Sequence, residues 1–341
     1  MKVIKMIKYV NPKTKGILIS NKMAYESQEG DQYPVIDAIP IFILDTPNQT
    51  MDLAHKSLLY GKKLLTDEIP GIYLSSIGVS DEEKAGILNL WHKSNNAVDP
   101  VVTFLIGATN GIGYKSLIGK LQTYPVPDLP LPTTTKESFL DLGCSWGRWS
   151  IAASQKGYQV TGIDPSLGAI AAGRRVCSRL NVKANLICGD ARFLPFENDS
   201  FDIVFSYSVL QHLSKENTLL VLQEISRVLK KGGIALIQMP NMFGVRCLMH
   251  QAKRRFRKPQ GFEVRYWNRS ELRNSFESTI GRSVIFADCF FGLNLQGADI
   301  KLMSGLAQKA TQCSELLKKL TFYYKPLIGI ADSVFVKAVK S

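Results

Sequence analysis

The chain has 341 residues, enough for one large or two modest domains, and 45% are hydrophobic, which sets aside a globally disordered chain. Lys and Arg number 42 against 29 Asp and Glu, a net charge of +13 that suits an anionic partner: nucleic acid, a phosphorylated substrate or a membrane surface. No run of 18 apolar residues predicts a membrane span, and Met1–Met6 lacks the apolar core of a signal peptide. The six cysteines, Cys144, Cys177, Cys188, Cys247, Cys289 and Cys313, include no C-x-x-C pair, which argues against a zinc site or a disulfide framework and fits a reducing, cytoplasmic compartment.

Residues 1–45 read as a small β-rich module, with short strands at Gly16–Ser20 and Ile39–Leu44. The segments Asn11–Leu18 and Gly30–Pro40 resemble the small zinc-ribbon proteins that activate tRNA and rRNA methyltransferases. The C-x-x-C pairs of those proteins would fall on Asn11 and Thr14, and on Glu26 and Glu29, none of them Cys or His. A structural zinc site needs thiolate or imidazole ligands, so the expectation is a ribbon shape without metal. The alternative is an unrelated β-hairpin.

Residues 46–130 read as mostly helical. Ser80 and Glu83 form a capping box that opens an amphipathic helix to about Lys93. The stretch Val101–Gly113, an apolar run followed by glycines, resembles the G-x-x-x-G-x-G turn of short-chain dehydrogenases. No acid closes a second strand about 20 residues on, as a dinucleotide fold requires. The other readings are a helix-loop-helix with glycines at close contacts, or a segment whose Asn110 and Tyr114 line a site built by the next domain. Tyr124–Pro132 reads as an extended linker.

From 136 to 241 strands and helices alternate. Strands are expected at 138–142, 158–163, 184–188, 201–206 and 233–239, with helices near 148–156, 166–180 and 215–230. This alternation predicts α/β architecture: a Rossmann-like, mostly parallel sheet with helices on both faces. The β-rich N-terminal module and helical additions sit around it. The core is expected to span 131–241 with 326–341, where Ser333–Lys340 reads as a final strand, and residues 242–325 form a cap or acceptor region.

The first core strand ends in Asp141-x-Gly143-x-Ser145-x-Gly147, and Asp164 follows Gly143 by 21 residues at the end of the second. A glycine turn lets the backbone approach a ligand, and an acid after the second strand accepts hydrogen bonds from ribose hydroxyls. A nicotinamide fingerprint would need glycine at 143, 145 and 148, where this chain has Gly143, Ser145 and Arg148. Cys188–Ala191, Phe201–Ser206 and Arg227–Gly233 follow in order. Together these pieces resemble the class I S-adenosylmethionine-dependent methyltransferases over about 136–241. The resemblance implies S-adenosylmethionine as cofactor, held by Asp141, Gly143, Cys144, Ser145, Gly147, Asp164, Pro165, Asp190, Ala191 and Ser206. Asp190 would meet the adenine amino group and the Ala191 N–H the ring. No metal is expected. Trp146 and Trp149 flank the turn as core or cofactor cover.

Methyl transfer is an in-line displacement, in which the enzyme aligns acceptor, methyl and sulfur, and an oxygen or carbon acceptor must also lose a proton. His212, after the fourth core strand, is the candidate base, with structural packing as the alternative. Tyr207 would orient the acceptor or line the cofactor. The turn Ser206–Val209 lacks the Pro-Pro of base N-methyltransferases, which argues against an exocyclic base amine. The expected acceptor is a small molecule or a lipid- or sugar-linked compound methylated at oxygen or carbon. RNA is the second reading, and a cofactor-binding partner protein without turnover the third. Lys253–Lys258 carries five cations in six residues, either a solvated face or a clamp for phosphate, anionic lipid or RNA. An apolar stripe at Met303, Leu306, Ala310, Cys313, Leu317 and Leu320 is expected to pack as a cap, with dimerisation or peripheral membrane contact as alternatives.

Overall fold

The computed structural model describes residues 7–46, 52–67, 69–93, 96–109, 112–134, 136–292, 294, 296–303 and 305–341. Eleven strands form one sheet: β1 (Leu18–Ser20), β2 (Ala24–Ser27), β3 (Gln32–Ile36), β4 (Ile39–Phe42), β5 (Ser138–Leu142), β6 (Gln159–Asp164), β7 (Ala184–Gly189), β8 (Phe201–Ser206), β9 (Leu229–Pro240), β10 (Ser283–Cys289) and β11 (Ser333–Val339). Their order is β1-β2-β3-β4-β7-β6-β5-β8-β9-β11-β10. Strands β4 to β9 pair in parallel along this order, whereas β11 runs antiparallel to both β9 and β10. The order reverses between β5 and β8, so the crevice above their carboxyl ends is where an open α/β sheet binds ligands.

The helices are α1 (Asp52–Gly61), α2 (Asp81–Trp91), α3 (Pro100–Thr109), α4 (Arg148–Gln155), α5 (Leu167–Arg179), α6 (Lys215–Val228), α7 (Val245–Lys253), α8 (Arg269–Thr279) and α9 (Gly305–Leu320). Strand β5 is buried along its whole length, as a parallel strand covered on both faces must be. Phe139 packs with Trp149 of α4 and Phe205, while Leu140 and Leu142 face the opposite layer with Val221 and Ile225 of α6. On the α5 side, Leu167, Ile170 and Val176 share a core with α1 and α3. There the Ser57 hydroxyl donates to Pro165 O and accepts from Leu167 N–H, which fixes α1 over the start of α5.

Several elements differ from expectation. The fifth core strand begins at Leu229 rather than 233, and the preceding helix stops at Val228. Residues 283–289 add an edge strand inside the segment read as a cap, and Asn268 with Glu271 caps α8 there. The apolar run Val101–Ile106 is the middle of helix α3. A Cβ at Gly107 would lie 2.4 Å from Ile118 Cδ1, so this glycine serves close packing between segments. Asn110 lies outside the described residues.

In the N-terminal module three of the four positions compared with zinc ligands, Asn11, Thr14 and Glu26, are tied by hydrogen bonds instead. Asn11 is fully buried; its Oδ1 accepts from Lys13 N–H, Thr14 N–H and Tyr33 OH, and its Nδ2 donates to Asp31. Glu26 accepts from Asn21. The module extends the sheet, with Ile41 and Phe42 of β4 paired to Cys188 and Gly189 of β7, so β7 is not an exposed edge.

The stripe packs only in part: Met303 is buried and Leu317 packs against the core. Within α9, Thr311 and Ser314 are the buried positions, whereas Leu306 is 86% exposed and Cys313 and Leu320 are also exposed. Ser314 Oγ accepts from Phe290 N–H, and Thr311 donates to Ala307 O. Periodicity identifies the helix, but small polar side chains on a neighbouring face share in its contacts.

Candidate functional site

The carboxyl ends of β5, β6, β7 and β8 converge on a cavity of about 230 Å³. Gly143 opens the turn after β5 with φ +76°, and its N–H and that of Cys144 both donate to Ile163 O at the end of β6. A Cβ on Gly143 would lie 2.2 Å from Val209 Cγ2, so the turn is pressed against the segment after β8. Ser145 has φ +49°, in the small left-handed region open to non-glycine residues. Gly147, φ +83°, leads into α4.

Asp164 ends β6. Its Oδ2 accepts from Ser145 N–H and its Oδ1 from Ser166 N–H, both at 2.9 Å, so the carboxylate joins the glycine turn to the start of α5. Burial pushes its pKa up to about 6, against the opposing pull of the two N–H groups. Asp190, after β7, is clasped by Arg192 through Nε and NH2, the latter at 2.6 Å.

Of the residues singled out for cofactor, Gly143, Cys144, Ser145, Asp164, Pro165, Asp190 and Ala191 line the cavity, together with Trp146 and Trp149. Asp141, Gly147 and Ser206 stand behind that wall. Asp141 accepts from Ser150 Oγ at 2.6 Å and is pushed by burial to a pKa of about 7. Ser206 Oγ donates to Leu142 O, tying β8 to β5. Gly147 supplies the conformation that starts α4. These three shape the turn from its rear.

Tyr207 and His212 both line the cavity. The Tyr207 hydroxyl donates to Asp288 Oδ2 at 2.7 Å and accepts from Gln296 Nε2 at 2.7 Å; burial, with Asp288 beside it, keeps it a neutral phenol. His212 stacks on Phe262 at 3.7 Å between centroids, and its Nδ1 lies 2.7 Å from Phe262 O. A carbonyl there requires the proton on Nδ1, which leaves Nε2 to accept from Gln211 Nε2 at 3.1 Å. Burial pushes the His212 pKa down to about 4. Ser208, φ +62°, sits between them; its N–H donates to Gln238, and its hydroxyl accepts from Gln211 and Asn294.

Leu53 and Ala54 of α1, Gly78 and Asn294, none singled out from the sequence, line the cavity, as do Leu105 and Ala108 of α3, from the stretch in which Asn110 and Tyr114 were the lining candidates. Their segments come from outside the alternating core, and no local signal marks a residue that arrives by long-range packing. Tyr114, offered as a lining residue, is fully buried behind the wall, where its hydroxyl donates to Asp299; Arg148 pairs with the same carboxylate.

The fold and the turn thus define an α/β domain with a cavity at its switch point, lined by a glycine turn and the carboxylates Asp164 and Asp190. More particularly, residues 139–233 match the family described as a methyltransferase domain. Over 101 residues the chain is 41% identical to a demethylmenaquinone methyltransferase of Staphylococcus aureus, covering 28% of this chain and 40% of that protein. The chain therefore spans less than half the length of the curated relatives it matches. Solved structures with similar folds include an S-adenosylmethionine-dependent methyltransferase of Thermotoga maritima, at 14% identity and TM-score 0.43, covering 76% of this chain and 99% of that one. Another is a protein of Pyrococcus horikoshii, at 18% identity and TM-score 0.42, covering 68% and 93%.

Proposed function

We propose that the chain transfers a methyl group from S-adenosylmethionine to a small or lipid- or sugar-linked acceptor at oxygen or carbon. The observation that carries this reading is Asp164: a carboxylate at the end of β6, in the cavity wall, hydrogen-bonded to the glycine turn of β5. Asp164 would accept from the ribose hydroxyls, Asp190 and Ala191 would meet the adenine, and the Gly143–Ser145 backbone would approach the amino-acid portion. The cradle fits such a group, because the glycine turn and the acceptor carboxylates Asp164 and Asp190 line one cavity. Bound there, S-adenosylmethionine supplies an electrophilic methyl on a sulfonium.

The chain's own residues then bind, orient and exclude water. Trp149, Tyr207 and Phe262 give the acceptor side of the cavity an aromatic wall. Tyr207 is fixed by Asp288 and Gln296, so it orients rather than ionises. His212 stays neutral near pH 7, and Nε2 is its one proton-accepting atom. To act as base it must exchange the Gln211 hydrogen bond for one from the acceptor. The absence of a Pro-Pro turn after β8 and the apolar wall favour this acceptor class over an RNA base. The N-terminal module, in this reading, is a metal-free ribbon that holds the β7 edge and the Asp190 loop.

The test is release of S-adenosylhomocysteine with candidate acceptors of that class. His212→Ala is expected to lower turnover by about 10²-fold or more, in the range of general-base contributions. Unchanged turnover in that variant removes His212 from the mechanism.

A further inference from the structure

Helix α7 carries an apolar stripe that faces away from the protein. Val245, Leu248, Met249 and Ala252 recur at i, i+3, i+4 and i+7, which puts them on one side, and all four are exposed. Cys247, the buried residue of the helix, lies on the opposite side. Arg246 and Lys253 flank the stripe, and Arg255, Phe256 and Lys258 follow it, also exposed. Of the cations in 253–258, Arg257 pairs with Glu263 and Arg254 reaches Val264 O, whereas Lys253, Arg255 and Lys258 form no ion pair among the described residues.

The helix is held rigidly in this orientation. Asp332 Oδ1 accepts from the N–H groups of Arg246 and Cys247 at its first turn, and a Cβ on Gly244 would lie 2.5 Å from Asp332 Cα. Asn241, just before the helix, donates to Gly329 O and Ala331 O. The turn it grips follows directly on Phe322, Tyr323 and Tyr324, three exposed aromatics beyond the end of α9. Lys318, Lys319 and Lys325 accompany them. Phe262, downstream of α7, is 52% exposed and also lines the cavity through its contact with His212.

We propose that this surface, centred on α7 with Phe256 and Phe262, docks on an anionic lipid bilayer and gives the cavity access to an acceptor with a lipid tail. An exposed apolar stripe bordered by unpaired cations is the pattern of a helix lying in the membrane interface. Each Lys or Arg near an anionic surface adds attraction, and the chain's charge of +13 favours the same encounter. Phe262 is exposed and also lines the cavity, and the Arg257–Glu263 and Arg254–Val264 contacts tie its segment to the end of α7. The acceptor class rests on the proposed transferase reading; the docking itself does not.

The experiment is co-sedimentation of the full chain, without cofactor, with vesicles of phosphatidylcholine alone or containing phosphatidylglycerol. Binding is expected to the anionic vesicles and to weaken with salt. The double variant Leu248→Asp with Met249→Asp should lose ~10-fold or more in vesicle affinity. Both positions are exposed, so the variant is expected to fold, with an unchanged circular-dichroism melt as the check. No binding to anionic vesicles, or equal binding by the double variant, overturns the proposal. So does a wild-type dimer in light scattering that the variant abolishes without any vesicle binding, which would assign the stripe to a second copy. RNA binding in place of vesicle binding overturns it as well. A chain that docks but does not bind S-adenosylmethionine contradicts the transferase reading and leaves the docking surface standing.

Discussion

Asp164 meets the glycine turn and α5 through separate oxygens, so one carboxylate organises both backbone segments around the cavity. Its pKa of about 6 gives the site a pH dependence. Ribose hydroxyls are best held by the carboxylate, and protonation removes acceptor capacity. S-adenosylmethionine affinity is therefore expected to fall as pH drops through about 6, approaching tenfold per unit below it, measured by calorimetry between pH 5 and 7.5. Constant affinity over that range would count against the assignment. Gly143 offers a second test. Gly143→Ala puts a Cβ into Val209 at a positive φ, and a loss of about 1–3 kcal/mol is expected. Adding Val209→Ala should recover the steric part and leave the backbone part, read from denaturant unfolding. The glycine and the acid were legible because their roles follow from local spacing. Val209, Leu53 and Asn294 were not, because they reach the cavity through tertiary packing with nothing in their own segments to mark it.

At the scale of elements, Asp141 joins β5 to α4 through the Ser150 hydroxyl. Burial raises its pKa to about 7 from a model-peptide value near 3.8, so the folded state holds a proton that the unfolded chain releases. Where the folded state binds more protons, stability falls as pH rises, here between about 4 and 7. Asp141→Asn mimics the protonated form and can still accept from Ser150. It is expected to melt higher than the wild type at pH 8 and about equally at pH 4 in thermal scans. A lower melting temperature at pH 8 would mean that the charged carboxylate stabilises the fold. Helix α2 was legible from its cap and α5 from the strand–helix alternation, and the Ser80–Glu83 capping box forms as written. The packing face of α9 was not. A hydrophobic stripe reports that a helix is amphipathic, but it does not say whether protein, another copy or lipid covers the stripe. On α7 an apolar stripe faces outward, and on α9 Leu306 and Leu320 do while Leu317 packs inward.

For the whole molecule, alternation from 136 to 241 predicted a parallel sheet, and β5 to β9 follow it closely. The edges were less legible. Strand β10 lies in a segment read as a cap, because seven residues on a sheet edge carry little periodic signal. The N-terminal module could be read as β-rich, but its pairing with β7 joins residues about 150 apart in sequence, a relation local pattern cannot express. That pairing bears on the proposed site, since β7 leads into Asp190. The sheet, the covered β7 edge and the turn after β5 all bear on one claim, that this crevice binds S-adenosylmethionine. The direct measurement is calorimetric titration of S-adenosylmethionine into the full chain at pH 7.5, beside the variant Asp164→Asn. One site per chain and a loss of about tenfold or more in the variant are expected, the usual effect of removing a charged hydrogen-bond acceptor. No heat of binding to the wild type, or equal affinity in Asp164→Asn, would contradict it.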